Sequence, residues 1–110
     1  MDLSLSNRSS DHSLLLFHKK LLTGAVPSEL GQLDKLLWLY LFANELTGSL
    51  PSELGLLTDI ELLQLDRNQL GGAIPSELGQ LSRMSLLSLY SNMLTGSLPT
   101  ELGQLSSGIR

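Results

Sequence analysis

Apolar residues recur along the chain in a short rhythm nested in a long one. Leu39-Tyr40-Leu41, Leu63-Gln64-Leu65 and Leu87-Ser88-Leu89 alternate leucine with a variable residue, and such alternation predicts a strand with one buried face. The three triplets stand 24 residues apart. Strands that return at that interval are parallel, because the chain must travel back along the far side of a coil between them. Around each triplet the wider pattern reads L-x-x-L-x-L-x-x-N-x-L. It fills the units 36–59, 60–83 and 84–107, with Ile60 and Met84 as apolar substitutes in the first column.

Other residue types obey the same period. Asn44, Asn68 and Asn92 align, as do Gly48, Gly72 and Gly96. Pro27, Pro51, Pro75 and Pro99 form a column, followed by Glu29, Glu53, Glu77 and Glu101. Self-similarity at a fixed period of this size marks a solenoid. The asparagine turns the chain, and the glycine beyond it permits a tight backbone. The P-[ST]-E-L-G stretch predicts one turn of helix or 3-10 helix, capped by Ser28, Ser52, Ser76 or Thr100. A degraded unit over 12–35 keeps Leu15, Phe17, Leu22, Gly24, Val26, Pro27, Leu30, Gly31 and Leu33 in column, with Lys20 in the asparagine slot. The expected organisation is a flexible segment 1–11, a repeat domain 12–107 and a tail 108–110. The expected fold is an α/β solenoid of about four coils, with an inner parallel sheet and short helical or 3-10 turns on the convex side.

Composition narrows the partners. A net charge of −4 with seven scattered basic residues argues against nucleic acid, which needs clustered Lys and Arg. No cysteine is present, so disulfides and thiolate metal sites are excluded. No apolar run approaches the ~20 residues of a membrane span, so insertion by this chain is not expected. The N-terminus lacks the basic start and sustained apolar run of a secretory signal. Asn7-Arg8-Ser9 is a glycosylation sequon in letters, read here as part of an ordinary polar tail.

With these columns in place, the chain resembles the leucine-rich repeat family, in its plant-type 24-residue class. Leu57, Ile60, Leu63, Leu65, Asn68, Leu70, Gly72, Ile74, Pro75, Leu78 and Gly79 match that class in turn. The resemblance covers roughly 12–107. It implies a curved horseshoe whose inner sheet binds proteins or peptides, as in receptor-like and surface proteins, and an extracellular or cell-surface setting. The residues themselves supply no catalytic or metal-ligating constellation, so no enzyme, cofactor or metal is expected. The chain departs from the family in lacking cysteine-bearing caps.

The chemistry-bearing residues fit that picture. Asn44, Asn68 and Asn92 fall where the strand bends inward and read as a structural ladder, since a buried amide can satisfy backbone groups of two coils. The glutamate column reads as a solvated outer face near helical N-termini. Asp11-His12-Ser13 carries triad letters, but a triad is recognised by spatial roles, and neighbours in sequence point apart. The variable positions beside the strand leucines form the candidate ligand-binding face: Trp38, Tyr40, Phe42, Gln64, Asp66, Arg67, Ser88 and Tyr90, with His18. Four of the chain's five aromatics lie there, and large exposed aromatics beside arginine typify recognition surfaces. The expected function is a non-enzymatic protein- or peptide-recognition module, a piece of a longer receptor-like or surface protein. The alternative is a structural spacer or truncated fragment that stacks on other repeats or self-associates through uncapped ends.

Overall fold

A computed structural model describes residues 13–16 and 21–110. The expected flexible segment 1–11, the Asn7 sequon, and His12, Phe17, His18 and Lys20 lie outside the described residues. Four strands, β1 (Leu14–Leu16), β3 (Trp38–Tyr40), β5 (Leu62–Gln64) and β7 (Leu86–Ser88), form one sheet in the order β1-β3-β5-β7. Every pairing is parallel, and Leu15, Leu39, Leu63 and Leu87 face one another across the sheet. The register is the sequence period, so the fold is the leucine-rich solenoid that the columns predict.

Beyond that expectation, each coil carries a second short strand. β2 (Thr23–Ala25) pairs with β4 (Glu45–Thr47), and β6 (Gly71–Ala73) pairs with β8 (Met93–Thr95). A single bridge, Ser49 to Gly71, links the two pairs. β4 and β8 start at the residue after Asn44 and Asn92, and β6 starts three residues after Asn68. Gly24 and Gly72 within β2 and β6, and Gly48 and Gly96 directly after β4 and β8, have φ between 72° and 81°, a left-handed conformation that glycine adopts without strain.

The convex side carries 3-10 turns at Ser28–Gln32, Ser52–Leu56 and Ser76–Gln80, and a longer one at Thr100–Gly108. The expected serine and threonine caps are not used. Pro27, Pro51, Pro75 and Pro99 occupy the cap position, and no side chain caps the turns. Proline arrives already fixed near the required φ and has no N–H to satisfy. The hydroxyls of Ser28 and Ser52 donate instead to Glu29 and Glu53.

The core is a stack of leucine layers. Leu39, Leu41, Leu46, Leu54, Leu57, Leu63, Leu65, Leu70, Leu78 and Leu81 are fully buried, each contributing roughly 1.5–3 kcal/mol over an exposed side chain. The coils close tightly on the convex side because Gly31, Gly55 and Gly79 have no side chain. A Cβ at these positions would lie 2.4, 2.6 and 2.5 Å from the carbonyl oxygens of Glu53, Glu77 and Glu101. Ile109 bridges to Leu87, Arg110 N–H donates to Leu87 O, and Leu89 N–H donates to Arg110 O. The last residues lie alongside β7 as a partial further rung, which leaves fewer backbone groups of that edge unpaired.

Candidate recognition surface

The sheet register sorts the variable positions into columns. Leu14, Trp38, Leu62 and Leu86 share the first, and Leu16, Tyr40, Gln64 and Ser88 the second. Parallel pairing continues past the strands, with Ala43 N–H donating to Asp66 O and Arg67 N–H to Tyr90 O. Phe42, Asp66 and Tyr90 therefore lie level on three successive coils. The first column is apolar and half-buried throughout. The sequence singles out only Trp38 in it, because Leu62 and Leu86, next to the core residues Leu63 and Leu87, carry no aromatic or polar group to mark them. Aligning by 24 residues from Trp38 would have placed Leu62 and Leu86 correctly.

Two candidate residues sit deeper than expected. Asp66 is 1% exposed and Ser88 is 2% exposed, so both lie below the surface formed by their neighbours. Ser88 is short, flanked by Gln64 on one side and by the Ile109–Arg110 rung beyond β7 on the other. Asp66 pairs with its neighbour: Arg67 Nε donates to Asp66 Oδ2 at 3.1 Å. Trp38, Tyr40, Phe42 and Gln64 are half-buried, whereas Arg67 and Tyr90 are exposed.

The third column forms a compact cluster. The Arg67 guanidinium lies 5.4 Å from the Phe42 ring centre and 6.0 Å from that of Tyr90, within cation–π range of both. The Tyr40 ring meets Phe42 edge-on, with centroids 6.3 Å apart at 76°, a favourable aromatic geometry. Aromatic groups from two coils thus bracket a charge pair from the coil between them. Arg67 also holds a left-handed backbone (φ 57°), as do Ala43 and Ser91 at the equivalent positions of the flanking coils.

Beneath this surface the asparagines tie the coils together. Asn68 Nδ2 donates to the carbonyls of Leu65 and Asp66 in its own coil and of Leu41 in the preceding one, at 3.0–3.2 Å. Its Oδ1 accepts the N–H of Leu46. Asn92 repeats this one coil on, donating to Leu89, Tyr90 and Leu65 and accepting from Leu70. Asn44 donates to Leu41 and Phe42 and accepts from Leu22. Three of the carbonyls fixed in this way, those of Phe42, Asp66 and Tyr90, belong to the third concave column, so the ladder sets the pitch of the surface.

The model of the Leucine Rich Repeat family matches residues 35–57, 59–81 and 83–105, more than half of the chain. No curated protein sequence matches it. Among solved structures, the chain is similar to the plant peptide hormone receptor RGFR1 in complex with RGF2. The identity is 34% and the TM-score 0.82, over 86% of this chain and 15% of that one. It is similar to the ectodomain of the receptor kinase SOBIR1 from Arabidopsis thaliana, at 33% identity and TM-score 0.79, over 86% of this chain and 50% of that one. The Arabidopsis receptor kinase HAESA, in complex with the peptide hormone IDA and the co-receptor SERK1, matches at 34% identity and TM-score 0.73, over 78% and 14%. The chain spans half or less of the length of each.

Proposed function

Because the chain belongs to the leucine-rich repeat family, we propose that it is a non-enzymatic recognition module binding a protein or peptide on its concave face. Trp38, Tyr40, Phe42, Gln64, Arg67 and Tyr90 make the contacts, joined by Leu62 and Leu86, while Asp66 and Ser88 act from beneath. The observation that carries this reading is the register: an apolar column, a mixed column and an aromatic–arginine column lie side by side on one rigid sheet. The likeness to receptors described as binding peptide hormones supports it. Scale favours a short peptide. Four coils ~4.8 Å apart, each presenting about five residues from the first concave column to the third, give a face on the order of 20 Å by 17 Å, well under the ~800 Å² per partner of a standard protein interface.

Peptides selected on the immobilised chain from a display library test this. Tyr40→Ala with Phe42→Ala should abolish binding of the selected peptides, because a few large anchors dominate most interfaces. Glu53→Ala with Glu77→Ala, on the convex side, should leave it intact. Circular dichroism confirms that both variants remain folded. Loss of binding on the convex substitutions alone would place recognition elsewhere. A purely structural role predicts that the aromatic substitutions shift melting or sedimentation and that no selected peptide depends on them.

A further inference from the structure

Resting on that concave-face reading, we infer that Phe42, Asp66 and Tyr90 form a pocket for the cationic side chain of a basic peptide, and that Arg67 is its internal occupant. The first observation is the state of Asp66. Its carboxylate is buried, yet Oδ1 has no hydrogen-bond partner, and its ion pair is a single contact from Arg67 Nε to Oδ2. A carboxylate withdrawn from water and half-satisfied is an unfavourable arrangement that a better-placed donor would relieve.

Arg67 is not that donor in this structure. It is the next residue in the chain, so its guanidinium returns to Asp66 over its own backbone and offers Nε rather than its paired terminal nitrogens. A guanidinium arriving from outside carries no such tether. It can set two parallel N–H groups against both carboxylate oxygens, the stronger bidentate geometry. The walls suit the same guest, since Phe42 and Tyr90 already hold a cation at 5.4 and 6.0 Å from their ring centres. The occupant is removable. The Arg67 side chain is 50% exposed, so it can swing into solvent without unpacking a core residue. The net charge of −4 attracts a basic peptide and repels an acidic one.

The experiment compares the full chain with Arg67→Gly, which empties the pocket and suits the left-handed backbone there, and with Arg67→Gly plus Asp66→Asn. The probe is Nα-acetyl-L-argininamide, titrated by calorimetry and thermal melting, with Nα-acetyl-L-glutamine as a neutral control. Arg67→Gly should bind the arginine probe about tenfold more tightly than the unaltered chain, and its melting temperature should rise with probe concentration. Adding Asp66→Asn should remove both responses. Arg67→Asn, which also tolerates a left-handed backbone, replaces the glycine variant should the latter fail to fold. Equal, weak binding in all variants overturns the inference. So does tighter binding of Nα-acetyl-L-glutamate to the unaltered chain than to Arg67→Gly, which would make Arg67 an anion-binding fork. The probe needs no protein partner. Peptide selection can therefore fail while the pocket stands, and the pocket can fail while selected peptides still depend on Tyr40 and Phe42.

Discussion

Replacing Asn68 with alanine probes the solenoid at the point where its coils are tied. Four hydrogen bonds disappear, but they do not weigh equally. Leu41 O still accepts from Asn44 Nδ2, Leu65 O from Asn92 Nδ2, and Asp66 O from the N–H of Ala43. The group left stranded is the N–H of Leu46, a fully buried residue whose amide donates to Asn68 Oδ1. One orphaned buried donor costs ~1–3 kcal/mol. Taking about 2 kcal/mol, the melting temperature should fall by on the order of 10 °C for a chain of this size. The reference is Glu77→Ala, an exposed convex substitution expected to change melting negligibly. Asn44→Ala should cost less than Asn68→Ala, because the amide it strands belongs to the half-buried Leu22. Far-UV circular dichroism melts of the three variants suffice. Should Asn68→Ala melt together with Glu77→Ala, the side chain–backbone ladder does not hold the coils, and the leucine layers alone must do so.

Two further predictions concern backbone. Gly55→Ala would drive a Cβ to 2.6 Å from Glu77 O, whereas at Gly103 nothing lies within 4 Å; the first substitution should lower the melting temperature and the second should leave it unchanged, and equal effects would refute the tight convex stacking. Ser91, exposed with φ 56°, holds a conformation costing a non-glycine residue ~1–2 kcal/mol. Ser91→Gly should therefore raise the melting temperature by a few degrees, and a fall would show that the turn is not strained.

The residues that were legible in the sequence are those whose role repeats. Leu63 is buried for the same reason as Leu39 and Leu87, and three copies make the reason visible. Asn68 is legible because a polar residue at fixed period inside an apolar pattern needs partners, and the partners are backbone groups that every coil supplies. What escaped notice depends on a neighbour one coil away. Asp66 looks like an exposed charge until Arg67 folds back over it between Phe42 and Tyr90. Ser88 looks like an available hydroxyl until a terminal rung lies beside it. Leu62 and Leu86 belong to a surface column only because Trp38 does. The serine caps failed for a local reason instead: proline one residue earlier already sets the conformation that a capping side chain would otherwise stabilise.

That division explains how the same coil can carry both scaffold and site. In a solenoid each coil touches only its neighbours, so stability is close to a sum of coil and interface terms. The columns contributing those terms (leucine, asparagine, proline and the convex glycine) vary little from coil to coil. The concave positions contribute little to the stack and are free to differ. Phe42, Asp66 with Arg67, and Tyr90 exploit that freedom in three successive coils. Each coil taken singly offers a ring or a charge pair; set 24 residues apart in this order, they place two rings on either side of one cation above one buried carboxylate. The strained backbone at Arg67 and the unpartnered oxygen of Asp66 are costs that the leucine layers below can carry. A surface that kept such costs for stability alone would have a simpler remedy, since glycine at position 67 and alanine at position 66 would remove both.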